Sequence, residues 1–266
     1  MKKLISLFII VLLAVACKNP TTTPNNPSTP NVDGERVTMV TIQETQNSIV
    51  GSLNTIKYSY DDKGRILKIS YNFEYNGQNI EDNLNFEWGK ESLKRFNKYD
   101  TLEFLLNNNN CIFSNGMTYE YVDNYLSKVV FKKGVKLNDY TVLKDTFNTF
   151  IWKDGNLVSD GYNTFEYYNE FKNNSFFDIY AISLFSIPTD NTLPIHFNLD
   201  PFSLDMGGGF FQNNFGLTSI NLVKKVSNKD LNNYDASYKF DSHSRVIEMQ
   251  MKGKDDVIVY KYTWSK

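Results

Sequence analysis

A repeated hairpin pattern constrains the fold of this chain more than any other feature of its sequence. Residues 56–71 (IKYSYDDKGRILKISY) and residues 236–251 (ASYKFDSHSRVIEMQM) carry aromatic residues, an Asp, an Arg and aliphatic residues at matching positions. In both stretches, alternating apolar residues lead through a polar turn into a second alternating stretch. Strict alternation is typical of strands with one packed and one solvent-facing side, so each copy predicts an antiparallel hairpin.

Weaker copies of the same pattern lie between these two, with shorter turns that lack the Gly-Arg pair. They cover residues 86–93, 119–131 and 150–157. In the first copy, Gly64 can adopt the positive φ that closes a tight turn. An Asp at the start of such a turn usually caps the turn backbone, so we interpret Asp61, Asp62 and Asp241 as turn residues rather than acids or bases.

The whole pattern predicts an all-β fold. The last strand, from Val257 to Trp264, places Ile258, Tyr260, Tyr262 and Trp264 on one face. We expect about 12–14 strands joined by short turns, in a strongly curved up-and-down antiparallel sheet or a partly open barrel, because sheets of that size twist and tend to close.

Residues 171–217 interrupt the strand pattern as a helix-loop insert. The segment near 176–186 is apolar on almost every side, and such a helix needs to be buried. We therefore expect one short buried helix there. A long irregular stretch follows it, and long excursions in compact domains are often functional, although a helix and loop that simply fill the core explain the segment as well.

The N-terminal residues resemble a targeting signal. Lys2 and Lys3 precede a short apolar run, which predicts a signal peptide over residues 1–16. Leu13-Ala14-Val15-Ala16-Cys17 resembles the bacterial lipobox, and this resemblance implies that Cys17 is lipidated with three acyl chains, enough for stable anchoring. Residues 17–34 are rich in Pro, Thr and Asn and predict a disordered tether reaching roughly 50 Å. Residues 35–266 then form a single β-sheet domain.

Composition excludes several classes of function. Removal of Lys2 and Lys3 with the signal peptide reduces the 28 Lys and Arg residues to 26, against 30 Asp and Glu. This acidic balance argues against a nucleic-acid partner. If Cys17 is lipidated, Cys111 is the one remaining thiol, and no internal disulfide can form. His196 and His243 lie far apart without nearby ligands, so we expect neither a metal site nor a cofactor.

No nucleophile, phosphate-loop or paired-carboxylate motif stands out, and we expect that the protein is not an enzyme. Trp88, Trp152 and Trp264 each lie on a predicted strand, two residues after a Tyr or Phe. If their rings face outward, they form an aromatic platform for a glycan or peptide. Aromatic pairs that build the core explain the same spacing.

The pattern Tyr-x-Tyr-Asp-x-x-Gly-Arg-Ile at 58–66 resembles the tyrosine-aspartate repeats of large secreted proteins. The whole layout more closely resembles a family of uncharacterised lipoproteins from Bacteroidota, which combine a lipobox, a polar tether and Tyr-Asp-Gly-Arg hairpins. A late segment of that family is similar to Gly216–Leu222 here. The resemblance implies a porin-like β-sheet fold and an envelope location, without an assigned activity.

We therefore expect a lipid-anchored, non-enzymatic binding or structural module of the bacterial cell envelope, with the membrane as its partner through the anchor and a glycan or an envelope protein as a candidate partner. The alternatives are a glycan-binding lipoprotein of a nutrient-uptake system and a pore-forming barrel. Charged residues opposite the packed face argue against the pore, which needs an apolar outer band. Residues 18–22 lack an acidic cluster, which favours the periplasmic face of the outer membrane over the cell surface.

Overall fold

The structure is a computed structural model. It describes residues 36–75, 78–99, 101–108, 110–114, 116–137, 140–161, 163–173, 185–187, 195–197, 217–228 and 233–265. The signal peptide, Cys17 and the tether, all predicted from the sequence, lie outside these residues.

The described residues form strands, turns and short connections, without a helix among them. In chain order the strands are β1 (Val37–Gln46), β2 (Ile49–Tyr60), β3 (Ile66–Tyr75), β4 (Gln78–Trp88), β5 (Ser92–Phe96), β6 (Thr101–Asn107), β7 (Asn110–Ser114), β8 (Met117–Val122), β9 (Tyr125–Phe131), β10 (Lys136–Leu137), β11 (Tyr140–Thr141), β12 (Thr146–Thr149), β13 (Ile151–Lys153), β14 (Asn156–Ser159), β15 (Asn163–Lys172), β16 (Phe185–Ile187), β17 (Ile195–Phe197), β18 (Asn221–Asn228), β19 (Tyr234–Phe240), β20 (Val246–Lys252) and β21 (Asp256–Trp264).

A 17-stranded antiparallel sheet dominates the fold. Strands that follow one another along the chain pair with one another, and β1 pairs with both β2 and β21, so the sheet closes into a barrel-shaped ring. The strands β12 and β13 lie on either side of Phe150, β12 pairing with β9 and β13 with β14. The all-β, up-and-down prediction is confirmed, and the sheet forms a nearly closed barrel.

The sheet has more strands than the 12–14 expected, because several of them are too short to show alternation. The strand β13 has 3 residues, β14 has 4, and β5 and β7 have 5 each. Two further pairs, β10 with β11 and β16 with β17, form separate two-stranded sheets.

The buried helix expected near 176–186 falls mainly on residues outside those that the structure describes. At its C-terminal end the expectation is wrong, because Phe185–Ile187 is a strand. Its backbone pairs with Ile195–Phe197, so that cross-strand hydrogen bonds replace helical ones there.

The repeated hairpins share one structural device. The pairing of β2 with β3, β8 with β9, β13 with β14 and β19 with β20 shifts by one residue immediately before the turn. Such a bulge turns one extra residue outward. Leu67 and Ile247 are accordingly exposed, whereas Ile66 and Val246 beside them are buried. The β4–β5 hairpin pairs without a shift.

The first and last copies have the same turn. The Asp61 amide donates to the Arg65 carbonyl oxygen over 2.9 Å, and the Asp241 amide donates to the Arg245 carbonyl oxygen over 3.0 Å. A carboxylate oxygen of each Asp accepts two backbone amides of its own turn, over 2.8–3.0 Å. The prediction that Asp61 and Asp241 are turn-capping residues is confirmed.

Two of the weaker copies use two-residue turns instead. Asp123 and Asn124 have φ values of 50° and 64°, and Asp154 and Gly155 have values of 49° and 74°. Two successive positive φ angles define the type I′ turn that matches strand twist. Asp and Asn tolerate this conformation, so these hairpins close without the Gly-Arg pair.

The hydrophobic core lies on the inner face of the ring. Inward-facing residues such as Ile69, Val129 and Met249 are fully buried, and Tyr260 and Tyr262 of the last strand join them. The shared face predicted for β21 is thereby confirmed. These side chains pack against one another on the inner wall, which excludes almost all water from them.

Both ends of the described chain meet at one end of the ring. The Arg36 amide donates to Ser265 Oγ over 2.8 Å, and the Ser265 amide donates back to the Arg36 carbonyl oxygen over 2.6 Å. In an up-and-down sheet alternate turns lie at the same end, so the turns at 61–65, 123–124, 154–155 and 241–245 share it. We call this end the terminal rim.

Candidate functional site

The three tryptophans predicted as a platform all lie at the terminal rim, at the ends of strands that run toward it. Each indole N–H donates to a backbone carbonyl oxygen on the adjacent strand: Trp88 to Ile66 over 2.8 Å, Trp152 to Leu126 over 2.8 Å, and Trp264 to Val246 over 3.0 Å. The acceptors are the residues that re-enter the sheet after the repeated turns.

A side chain from the neighbouring repeated hairpin also contacts each tryptophan ring. The guanidinium of Arg65 lies 5.3 Å from the Trp88 ring centre, and that of Arg245 lies 5.5 Å from the Trp264 ring centre. Trp152 instead meets the ring of Tyr125, with 4.5 Å between the centroids. Cation–π and ring contacts of this kind stabilise a fold by about 0.5–1 kcal/mol each.

The two arginines are oriented by the turn aspartates. Arg65 Nε lies 2.7 Å from Asp61 Oδ2, and Arg245 Nε lies 2.6 Å from Asp241 Oδ2. Burial opposes ionisation of both carboxyls, but hydrogen bonds from the backbone and side chain of the arginine outweigh it and lower the pKa of each Asp. Turn, arginine and tryptophan form one unit, which we call the Asp-Arg-Trp bracket.

The structure does not bring the three tryptophans together. Trp88 is on β4, Trp152 on β13 and Trp264 on β21, and β1, β2 and β3 separate the nearest two of these strands in the ring. All three rings are half-buried and pack against the core. A glycan platform on them stays a prediction, and it would be three separate stacking positions along one rim.

A buried segment crosses the terminal rim. Residues 217–220, which we call the strap, belong to the stretch that resembles the lipoprotein family. The Leu217 amide donates to the Asn124 carbonyl oxygen over 2.7 Å, and the Ile220 amide donates to the Gly155 carbonyl oxygen over 3.1 Å. The strap therefore ties together two repeated turns. Leu217, Thr218 and Ser219 are buried.

Ser219 fixes the strap to the wall of the ring. Its Oγ accepts the Leu157 amide over 3.1 Å and lies 2.9 Å from the Tyr167 hydroxyl oxygen. The side-chain amide of Asn173 donates to the Ser219 carbonyl oxygen over 3.0 Å. Because these buried polar groups satisfy one another, the strap is a fixed part of the fold. The sequence resemblance located this segment but gave no role for it.

A polar groove of about 300 Å³ lies on the wall formed by β2, β3 and β4. Register places the side chains of Thr55, Lys57, Ser70, Asn72, Glu81 and Asn83 on the outward face. The Asn72 side-chain amide donates to Glu81 Oε1 over 3.1 Å. Hydroxyls, amides and one charge of each sign suit a neutral, polar ligand, and the volume is at the lower limit for small-molecule sites.

The groove was missed by sequence reasoning. Its lining comes from three strands, and each contributes only outward residues of ordinary polar type. Behind it, Asp82 points inward, accepts a hydrogen bond from Tyr71 and lies 3.7 Å from Lys98 Nζ. These contacts brace the groove wall from the inside.

The remaining candidate residues are two histidines and the buried cysteine. His243 is exposed in its turn, as expected. The backbone of His196 pairs with Ser186 in the strand pair β16–β17, and its side chain lies outside what the structure describes. Burial raises the pKa of the Cys111 thiol to about 12 despite a contact with the Phe113 carbonyl, so the thiol is unreactive.

Two searches were confined to the part of the chain that the structure describes. Among those residues, His, Cys, Asp and Glu side chains do not gather in threes as a metal site requires. The same residues include no helix with the length and hydropathy needed to cross a membrane.

The chain is similar in fold to a solved structure described as a porin-like protein from Bacteroides uniformis. The TM-score is 0.60 at 15% sequence identity, and the match covers 86% of this chain and 98% of the other. A second porin-like protein, from Bacteroides vulgatus, matches with a TM-score of 0.49 at 10% identity over 86% of this chain and 99% of the other.

No family model matches the sequence, and no curated protein does. The structural likeness to the Bacteroides uniformis protein confirms the porin-like β-sheet fold that the sequence resemblance implied. Membership of the lipoprotein family stays a prediction. What is established is that this chain has an antiparallel, ring-shaped sheet of the porin-like kind.

Proposed function

We propose that this protein is a lipid-anchored, non-enzymatic binding or structural module of the bacterial cell envelope. The observation that carries the proposal is the position of the chain entry. Arg36, the first described residue, is fastened to Ser265 at the terminal rim and lies 5.4 Å from the Tyr60 ring centre. A tether from Cys17 would therefore join the ring at one defined end, the terminal rim.

The distribution of side chains supports a module held beside a membrane over a pore within one. A transmembrane barrel turns an apolar band to lipid and a polar surface inward. Here the described strands do the reverse, with the apolar core inside. Outward Lys–Glu pairs join neighbouring strands, namely Lys94–Glu87 at 3.8 Å, Lys128–Glu120 at 3.6 Å and Lys239–Glu248 at 2.7 Å.

The test is the chemistry of the mature N-terminus. The full chain is expressed in a Gram-negative bacterium, recovered from the membrane fraction and measured by mass spectrometry. The proposal predicts a mature chain that begins at Cys17 and carries three acyl chains. It also predicts that a chain in which a cleavable, non-lipoprotein signal peptide replaces residues 1–17 is released from the membrane fraction as a folded protein. Retention of that chain in membranes, or a mature wild-type chain without acyl groups on Cys17, would contradict the proposal.

The second candidate function, glycan binding, is favoured by one observation, the polar groove on β2, β3 and β4. Sugars present many hydroxyls, which the amides of Asn72 and Asn83 and the hydroxyls of Thr55 and Ser70 can satisfy. On this proposal the ligand lies along the wall, and Trp88 is the half-buried tryptophan that shares a strand, β4, with the groove.

The corresponding experiment titrates the protein with soluble polysaccharides (dextran, xylan, starch and pectin) and follows tryptophan fluorescence and retention on polysaccharide gels. The double variant Asn72→Ala/Asn83→Ala should lose binding at least tenfold, since unpaired sugar hydroxyls are costly. Asn79→Ala is the matched control, because Asn79 is exposed on the same strand but does not line the groove. Equal binding by the double variant and the control would remove this candidate.

A further inference from the structure

Four adjacent strands present an apolar row on the outside of the ring. Register aligns Phe113 of β7 with Thr118 of β8, Thr118 with Val130 of β9, and Val130 with Phe147 of β12. Phe113 is 40% exposed and Phe147 is 59% exposed. Side chains opposite one another in a sheet share a face, so the row is continuous and faces solvent.

A charged pair lies in the next outward row toward the terminal rim. Glu120 of β8 is opposite Lys128 of β9, with 3.6 Å between the charged groups. Lys128 Nζ also lies 4.9 Å from the ring centre of Phe147. The first row thus has a phenylalanine at each end and the smaller Thr118 and Val130 between them. The second row places Glu120 and Lys128 beside the middle of the first.

This arrangement is self-complementary about a line between β8 and β9. A two-fold axis along that line turns the wall onto a second copy and exchanges β7 with β12 and β8 with β9. Phe113 then faces Phe147 of the other copy, and Glu120 faces Lys128 of the other copy. A two-fold interface requires such matching, because the same patch supplies both sides.

We propose that the outer wall of β7, β8, β9 and β12 binds a second copy of this chain, as a two-fold dimer. The aromatic contact and the opposite-charge contact each occur twice in that dimer. Glu120 and Lys128 lie at equal distances on either side of the proposed axis. Pairing with a second copy requires this symmetry, whereas pairing with a protein of different sequence does not. We call this surface the dimer wall.

The size of the dimer wall supports a dimer of moderate affinity. The row crosses three strand spacings, or about 14 Å. Exposed Leu105 lies opposite Phe113 on β6, Ile112 lies next to Phe113 on β7, and Ile151 lies beyond Phe147 toward the terminal rim. A stable interface buries about 800 Å² per partner, and a row of this width supplies only part of that area, so polar surroundings must supply the remainder.

The described wall on the other side of the ring differs. There the outward row runs through Glu248, Lys261, Thr41 and Thr55, all polar. Exposed aliphatic residues also occur on that side, at Ile49, Val50 and Leu53 of β2 and singly at the hairpin bulges, at Leu67 and Ile247. The dimer wall differs in that two exposed phenylalanines, Phe113 and Phe147, lie at the two ends of one aligned row.

The proposed axis also suits anchored chains. An axis along the strands leaves both terminal rims at the same end of the dimer, so two copies held on one membrane can pair without turning over. Confinement to a surface raises the effective concentration of a weak pair. Only this advantage rests on the proposed lipid anchor. The dimer wall itself does not.

The first test measures the oligomeric state of the full chain in detergent by native mass spectrometry and light scattering. The wild-type chain should dimerise, and Phe147→Glu should weaken the dimer roughly 30-fold, as expected when a charge replaces an aromatic anchor of an interface. Leu53→Glu is the matched control, because Leu53 is 58% exposed on the outer face of β2. A monomeric wild-type chain at tens of micromolar, or equal effects of both variants, would overturn the proposal.

The second test does not depend on an aromatic substitution that could prevent folding. Glu120→Lys and Lys128→Glu should each be monomeric alone, since each places like charges across the axis. A mixture of the two should form a mixed dimer, because the first copy then supplies two bases and the second two acids. A mixture that stays monomeric while both variants are folded by circular dichroism would overturn the proposal, and so would a homodimer of either variant.

Discussion

Removal of the Asp241 carboxylate should release one whole Asp-Arg-Trp bracket. Asp241 accepts the His243 amide over 2.9 Å, the Arg245 amide over 2.9 Å and Arg245 Nε over 2.6 Å. Asp241→Ala removes all three hydrogen bonds and frees the arginine that lies over Trp264. The Asp241 side chain is 18% exposed, so water can satisfy only part of what is lost.

Each of these hydrogen bonds contributes about 1 kcal/mol net, so Asp241→Ala should lower the free energy of unfolding by about 2–3 kcal/mol. For a domain of this size, that corresponds to a fall in Tm of roughly 5–10 °C. The assay is urea denaturation followed by tryptophan fluorescence. It should also show a changed native emission, because Trp264 loses the guanidinium 5.5 Å from its ring centre.

Asp62→Ala is the matched control. Asp62 is an exposed residue of the equivalent turn in the first copy, next to the capping Asp61. Its removal should change stability by less than about 0.5 kcal/mol, as for ordinary surface positions. If Asp241→Ala and Asp62→Ala unfold at the same urea concentration, the bracket is not a stabilising unit and the reasoning is refuted.

Three further predictions concern the same hairpins and the strap. Ser244→Gly should stabilise the protein by about 1 kcal/mol in chemical denaturation, because Ser244 has φ 60° where the first copy has Gly64; no change would show that this turn is relaxed. Ser219→Ala should cost about 1–3 kcal/mol and speed hydrogen exchange of the strap, since it leaves a buried backbone N–H unsatisfied; unchanged exchange would contradict this. The pKa values of Asp61 and Asp241 are lowered on folding, so their contribution is present above the ordinary value of 3.8 and is lost as the pH falls through the folded pKa. The double variant Asp61→Asn/Asp241→Asn should therefore lose less stability between pH 5 and pH 2 than the wild type, and an identical acid profile would contradict this.

The repeated hairpins could be predicted from sequence because their information is local. Alternation around Asp61 and Asp241 fixed which faces pack, and the Asp-to-Arg spacing specified the turn within five residues. The structure confirms these turns and the shared inner face of β21. The bulges were not foreseen, because a single residue that turns outward, such as Leu67, is indistinguishable in sequence from another core position.

The contacts between the three tryptophans and the repeated hairpins, including the two Asp-Arg-Trp brackets, were missed because their members are distant in sequence. The indole of Trp88 meets a carbonyl 22 residues earlier, that of Trp152 one 26 residues earlier and that of Trp264 one 18 residues earlier. Because the number of residues between each tryptophan and its carbonyl acceptor varies, the sequence does not reveal these contacts. Each tryptophan nevertheless lies on the strand that follows its hairpin. This observation would have been available from the repeat alignment once the strands were placed in order.

Strand order also explains why the polar groove and the dimer wall could not be predicted from the sequence. The polar groove joins three strands, and the dimer wall joins four, including the short β7 and β12. Each strand contributes only one to three outward residues, and the pattern exists only after the register between strands is known. Short strands such as Ile151–Lys153 lack enough residues for alternation to be recognised.

Closure of the ring by the first and last strands is the basis of the fold, the terminal rim and both surfaces, and a disulfide tests it directly. Thr41 of β1 is opposite Lys261 of β21 on the outer face, so Thr41→Cys/Lys261→Cys should oxidise to an intramolecular disulfide, detected by peptide mass mapping. Asn72 lies two strands from Thr41, about 9.6 Å away, so Thr41→Cys/Asn72→Cys should stay reduced. A closed ring predicts a bridge in the first variant alone. The absence of a bridge between positions 41 and 261 in the folded protein would contradict it.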